Sequence, residues 1–276
     1  MPHQNLFVFD IETVPDTDAV PNLTGFADPD PAARRDELER YHLDITDGRN
    51  PFPRQPFHKV VAISFLDAEI EREGVEEIYH MRELRSGGEE GSSEKELLQG
   101  FFAYLKKHRP RLVSFNGRGF DLSVLKYRAM VHGISARFLY TDGDKWNSYT
   151  SRYSEDWHCD LLEVLSEFGG SARIKLNEAC SVFGFPGKFG VDGSKVTGMV
   201  EGGQIGAVRD YCETDVLNTY LVYLRLMQHR GTISTEGYNH AIAAIIALIE
   251  AEGEARPHLG EFMDAWGEAC NFEFML

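Results

Sequence analysis

The apolar positions of this chain fall into two rhythms that occupy different stretches. Short runs rich in Val, Ile and Phe, bounded by polar or turn residues, predict strands at 6–11, 59–66 ("KVVAISFL"), 75–80 and 111–115 ("RLVSF"). Apolar residues recurring every three or four positions predict helices at about 94–107, 120–131, 160–168, 175–183, 204–229, 235–252 and 258–269. Strands come first and helices follow, which predicts an α/β fold: a mixed sheet with helices packed on it and an all-helical tail after Gly231. The longest apolar run, "AIAAIIALI" at 241–249, is too short to span a bilayer and reads as a buried helix.

Between the first two predicted strands lies a long segment, 13–57, with seven prolines and one helical stretch, "AARRDELERYHL". A connection of this length is expected to be either a lid that contacts substrate or a mobile insertion. The stretch "SGGEEGSSEKE" at 86–96 reads as an acidic loop leading into a helix, and no internal repeat is visible.

The composition, 42% hydrophobic and 26% charged over 276 residues, is that of a globular protein with one large domain or two small ones. The N-terminus has no basic region followed by an apolar stretch, so a cytoplasmic location is expected. Cys159, Cys180, Cys212 and Cys270 form no C-x-x-C pair, which argues against a zinc site or disulfide framework and for reduced, mostly buried thiols.

The net charge of −16 argues against a nucleic-acid partner, but its distribution changes that reading. Residues 67–96 and 250–276 together carry −13, whereas residues 106–128 hold seven bases against Asp121 alone. That basic stretch is either a landing site for a polyanion or the decoration of two helix ends.

The candidate chemistry begins in "LFVFDIETVP" at 6–15, where an apolar run ends in Asp10 and Glu12. Alternate strand residues share a face, so the two carboxylates point the same way about 7 Å apart, unless the strand has ended and both are solvated. Asp121, after "SFNGRGF", sits where an acid also caps a helix N-terminus. Tyr211 and Asp215 in "YCETD" are four apart on a helix and share its face. Four carboxylates on three elements repel one another unless divalent cations neutralise them, and an all-oxygen cluster suits Mg²⁺ or Mn²⁺.

This ordered set, D-x-E, then N-x3-F-D, then Y-x3-D, resembles the DEDD superfamily of 3′–5′ exonucleases, in the subgroup with tyrosine in the third motif. The chain looks more closely still like predicted exonucleases related to the proofreading domain of family B DNA polymerases. That similarity covers most of residues 5–227, including "HCDLLEVLSEFG", "KLNEACSVFGFPGK", "VDGSKV" and "YCETDVLNTYLVYLR". The resemblance implies a ribonuclease H-like fold. It implies that Asp10, Glu12, Asp121 and Asp215 bind two metal ions, with Asp10 bridging, and that Tyr211 orients the attacking water. It implies in-line hydrolysis from the 3′ end of single-stranded DNA to 5′-mononucleotides. An RNA-trimming enzyme like ribonuclease D, or a nucleic-acid-binding module with an inactive site, is the alternative. About fifty residues follow the third motif, so a stand-alone nuclease, or the proofreading subunit of a replication or repair assembly, is expected, with the nuclease over 1–230 and a helical extension over 231–276 packed on it.

Residues expected to meet the substrate are Thr13, Asn116, Phe120 and Lys188; each has a plainer reading as turn, core or surface. Lys188 in "GFPGKFG" lacks the spacing of a phosphate loop and is read instead as a contact to the strand backbone. Asp160 is read as a helix cap, His58 and His158 as structural. Trp146, Tyr149, Tyr153 and Trp157 either stack on unpaired bases or pack a loop.

Overall fold

In the computed structural model, which describes residues 3–188 and 193–269, five strands form one mixed sheet. The elements in chain order are β1 Asn5–Pro15, α1 Val20–Thr24, α2 Pro31–Ile45, β2 His58–Glu73, β3 Glu76–Ser86, α3 Glu94–His108, β4 Arg111–Ser114, α4 Asp121–Val131, α5 Phe138–Thr141, β5 His158–Asp160, α6 Leu161–Leu165, α7 Leu176–Phe183, α8 Val196–Glu201, α9 Ile205–His229, α10 Thr235–Glu252 and α11 Pro257–Ala269. Strand order is β3-β2-β1-β4-β5; β1 pairs antiparallel with β2 and parallel with β4. This is the expected α/β architecture, a mixed sheet flanked by helices with a ribonuclease H-like strand order. Cys270, and the part of "KFGVDGSKV" from 189 to 192, lie outside the described residues.

Because β1 is central, alternate residues along it serve two cores. Leu6 and Val8 face α9, α10 and α11, where Val216, Tyr220, Ile245 and Phe262 are buried with them. Phe7, Phe9 and Ile11 face α3 and α4, against Phe101, Leu105 and Leu125. The terminal helices α10 and α11 pack on β3 and α9 and contribute to that first core.

Several elements run beyond their predicted bounds for a common reason. β1 continues through Glu12 to Pro15, and β2 continues through "AEIERE", because Ala68 and Ile70 point inward while Glu69, Glu71 and Glu73 point to solvent. Polar outward positions hide a strand from a reading that seeks apolar runs. The helix predicted at 160–168 is found as α6 and a short 3-10 turn over Glu167–Gly169, with Asp160 accepting from the N–H groups of Leu162 (3.1 Å) and Glu163 (3.5 Å) as its cap; the three-residue β5 just before it is not among the predicted strands.

The long connection is folded. Its ends are joined by the N–H of Asp16 donating to the carbonyl of Phe57 at 2.8 Å. α2 starts at Pro31 with Asp30 as N-cap, and His42 accepts from the N–H of Arg54 at 3.1 Å. Gln55 reaches the carbonyl of Gly119 at 2.9 Å, so this segment touches the turn that precedes Asp121.

Candidate active site

β1 and β4 are parallel neighbours, so the turns at their carboxyl ends open onto the same place, where open α/β sheets usually bind ligands. Asp10 and Glu12 lie on the face of β1 that looks toward α9, in line with Leu6 and Val8. The register of β1 against β2 shifts between Glu12 and Thr13, a bulge that ends the alternation directly after the second acid.

The turn after β4 is built to deliver Asp121. Asn116 takes φ 67°, and a Cβ at Gly117 would meet the Ser114 hydroxyl at 2.2 Å, so only glycine fits. Asp160 accepts from the N–H groups of Asn116 (2.9 Å) and Arg118 (2.8 Å), holding the loop from the neighbouring strand. Asp121 opens α4; its carboxylate accepts from its own N–H at the start of that helix, and its Oδ1 also accepts from the N–H of Ile11 at 3.3 Å. The carboxylate therefore serves the start of its helix and reaches across to β1 as well.

α9 carries Tyr211 and Asp215 one turn apart, both buried. Two further residues of α9, Cys212 and Asn218, matter as well. Cys212 donates its thiol to Asp10 Oδ2 at 3.7 Å, and one ligand atom each from Asp10, Glu12 and Cys212 all lie within 4.8 Å of one another. Asn218, one turn beyond Asp215, accepts from the N–H of Gly187 (3.0 Å) and donates to its carbonyl (2.9 Å). Gly187 has φ +66°, and Asn177 accepts from the N–H of Lys188 at 2.8 Å. This clamp places the Lys188 ammonium 3.3 Å from Asp215 Oδ2 and in hydrogen-bond contact with the Tyr211 hydroxyl.

Thus Asp10, Glu12, Asp121, Tyr211, Asp215 and Lys188 are brought together. Burial, then Asp121, Asp215 and Glu12, raise Asp10 well above the usual carboxylate range. Burial and Asp215 do the same to Glu12. Burial pushes Asp121 up to about 7, and burial raises Asp215 although Lys188 opposes it. Burial would lower Lys188, but Asp215 and Asp10 more than offset it. Burial and Asp215 hold the Tyr211 phenol far above its ordinary value.

The donors fit a hard divalent cation. Asp215 Oδ1 is buried without a hydrogen-bond partner, an orphaned oxygen that such an ion would satisfy. The soft donor nearby, Cys212, is held well above its usual range by burial, Asp10 and Glu12 in the metal-free protein, and the other donors are all carboxylate oxygens.

Thr13 and Phe120 lie together but are not free. The Thr13 hydroxyl meets His58 Nδ1 at 3.0 Å, while His58 Nε2 meets the Pro53 carbonyl at 2.9 Å. His58 in turn packs edge-on against Phe120 at 5.0 Å, and the exposed Phe52 lies 6.0 Å from Phe120. Asn116 faces Gly119: a Cβ there would meet its Oδ1 at 2.5 Å. The loop aromatics divide. Tyr149 is fully buried, donates to the Pro110 carbonyl at 2.7 Å and packs on Trp157, whereas Trp146 and Tyr153 are exposed.

Sequence reasoning missed Cys212, Asn218 and the second duty of Asp160. The first two had a signal, since both share the helix face of Asp215 at three-residue spacing; the third is a contact between strands that spacing does not show.

Residues 50–266 match the family described as predicted 3′–5′ exonucleases related to the exonuclease domain of PolB. The chain belongs to this family. The match contains Asp121, Tyr211 and Asp215 and begins after Asp10 and Glu12, which join the site through the pairing of β1 with β4. Membership makes the chain an exonuclease of predicted 3′–5′ direction, with a nucleic acid as its substrate, and families of this kind generally use divalent metals. No curated protein matches the chain. Among solved structures, it is similar to the family B DNA polymerase from the hyperthermophilic archaeon Pyrobaculum calidifontis, at 19% identity and a TM-score of 0.49. That alignment covers 82% of this chain and 25% of the polymerase, so the chain spans about a quarter of that protein's length. Among the described residues no helix is long and apolar enough to cross a membrane.

Proposed function

We propose that the acid cluster hydrolyses the terminal phosphodiester bond at the 3′ end of single-stranded DNA, releasing 5′-mononucleotides. The observation that carries this reading is the set of four carboxylates from β1, α4 and α9 with one ammonium, Lys188, paired into it and one buried carboxylate oxygen, Asp215 Oδ1, left without a partner. Asp10, Glu12, Asp121 and Asp215 would hold two Mg²⁺ or Mn²⁺ ions. Such ions, when bound, activate the attacking water and stabilise the attacking and leaving oxygens of an in-line displacement at phosphorus.

The chain's own groups then have separable tasks. Tyr211 stays protonated at neutral pH, so its hydroxyl acts by hydrogen bonding, orienting the water rather than taking its proton. Lys188 is held at the cluster by the Asn177 and Asn218 clamp, and its charge is available to a phosphate oxygen once the carboxylates are neutralised. Phe52 and Phe120, backed by His58 and Thr13, offer an aromatic face for the terminal base. The nuclease unit, 1–230, holds all these groups, and within the extension α10 and α11 pack on β3 and α9.

A strand labelled at its 5′ end tests the reading, offered as DNA and as RNA of one sequence with Mg²⁺, Mn²⁺ or chelator. The expected result is a ladder shortening from the 3′ end, metal-dependent and faster on DNA. A faster ladder on RNA would overturn the DNA preference alone, and cleavage of neither polymer would overturn the nuclease reading.

A further inference from the structure

The structure takes apart the basic stretch at 106–128. Arg109 pairs with Asp142, Arg111 with Glu77 at 2.6 Å, and Arg128 with Asp16 at 2.5 Å and Glu94 at 2.7 Å. Lys106 and Lys107 close the last turn of α3, where cations complement the helix dipole. Two bases remain, Arg118 and Lys126, and both line one cavity of about 330 Å³.

The walls of that cavity include Arg118, Gly119, Lys126, Thr150, Arg152 and Glu163. Glu163 already pairs with Arg152 and Arg173. Arg118 spends its guanidinium on two neutral carbonyls, those of Tyr149 (3.3 Å) and His158 (2.9 Å), and its Nε is buried without a partner. Lys126 is half-buried on α4 and, among the described residues, has neither a carboxylate nor a carbonyl partner. Burial and the neighbouring Arg118 both depress Lys126, as two like charges left facing one another would.

Arg118 has Asp160 and Glu163 nearby but, among the described residues, no ion pair with either, and Lys126 has no acid of its own; such cations are costly to hold in a cavity unless an anion completes them. The cavity shares the first turn of α4 with the acid cluster, since Gly119 and Leu122 flank Asp121 and also line it. Lys126 stands five positions after Asp121 on α4, a rise of about 7.5 Å and a turn of about 140° around the helix, so the axial offset is on the scale of one nucleotide step along an extended strand.

We propose that the cavity at Arg118 and Lys126 is a phosphate subsite for the backbone of a single-stranded polynucleotide, one or two internucleotide linkages from the bond at the acid cluster. Arg118 presents a charge fixed by the Tyr149 and His158 carbonyls, Lys126 supplies a movable one, and the exposed Tyr153 beside Arg152 continues the surface with a ring for a base. The subsite rests on the nuclease reading above, and its test is separable because it needs no turnover.

The full chain is used, with chelator present, and fluorescein-labelled oligomers of deoxythymidine and of uridine are titrated while anisotropy is followed at several salt concentrations. Lys126→Ala keeps a good helix former on α4. It should weaken both oligomers about fivefold and lower the slope of log K against log salt by about 0.7, one phosphate contact on a single strand. Lys126→Glu should weaken them further, and Lys126→Arg should restore most of the affinity. With metal, Lys126→Ala should raise KM for the oligomer and leave kcat. Unchanged affinity and salt slope in Lys126→Ala and Lys126→Glu, where the wild type binds, would overturn the subsite alone. A wild type that binds neither oligomer and cleaves neither would overturn the subsite together with the reading beneath it.

Discussion

Two buried charge clusters in this molecule are built on opposite terms. At one, Arg128 on α4 is enclosed by Asp16 (2.5 Å) and Glu94 (2.7 Å), and His132 adds a further contact to Glu94 at 2.7 Å. Burial alone would raise Glu94, but hydrogen bonds from Arg128, His132 and the N–H of Val60 bring it below its ordinary value. At the other, Asp10, Glu12, Asp121 and Asp215 face one another with Lys188 for compensation, and all four carboxyls are raised. The first cluster is complete within the chain and joins the long connection to α3 and α4. On the reading proposed above, the second is completed by divalent cations. Uncompensated buried charge is the mark of a working site, and balanced buried charge the mark of a fastener.

Removing a member should therefore do opposite things in the two places. Asp10→Ala is expected to lower exonuclease turnover by about a thousandfold or more, while melting in metal-free buffer stays level or rises, because it relieves repulsion. Turnover within tenfold of wild type would show that Asp10 is not in the site. Arg128→Ala should strip the buried Asp16 and Glu94 of their shared guanidinium, leaving them with Lys59 at 3.5 Å and His132 at 2.7 Å, and cost about 3 kcal/mol in urea unfolding. A cost under about 1 kcal/mol would mean that this cluster is not a fastener.

Smaller effects sharpen the same contrast. Tyr211→Phe is expected to lower kcat by about ten- to a hundredfold with little change in the affinity for strand ends measured in chelator, since a positioning hydroxyl and no charge is lost. An equal loss in binding would make Tyr211 a substrate contact. For the metal-free protein, the sign of the pH dependence follows from the raised carboxyls. Between about 4, where the unfolded acids ionise, and about 7, the position of Asp121, the folded state holds more protons than the unfolded one. Stability then falls as pH rises through that window, by several degrees in melting temperature, and Mn²⁺ should restore more at pH 8 than at pH 5.5. A metal-free melting temperature that rises across the window would contradict the raised values.

Much of the acid cluster was legible because its residues are marked locally. The D-x-E spacing on a strand, an acid opening a helix and a Y-x3-D on another each follow from backbone periodicity. What the sequence hid depends on contacts between distant segments. The Arg128 pairing joins residues 112 apart, so the basic stretch read as one patch although Arg109, Arg111 and Arg128 are each paired with an acid from elsewhere in the chain. β5 is three residues long and carries a His and an Asp, too short and polar for a strand pattern. In the long connection the helix was legible and begins at Pro31, but the contact of Gln55 with the turn before Asp121 was not.

The most direct measurement is a Mn²⁺ titration of the full chain by calorimetry at pH 7.5, on the wild type and on Asp10→Asn and Asp215→Asn. Two ions per chain, with protons released on binding and with at least one ion lost in each variant, is the predicted result. Mn²⁺ that fails to bind the wild type at millimolar concentration, or that binds both variants as it binds the wild type, would contradict the claim that these buried carboxylates await a divalent cation.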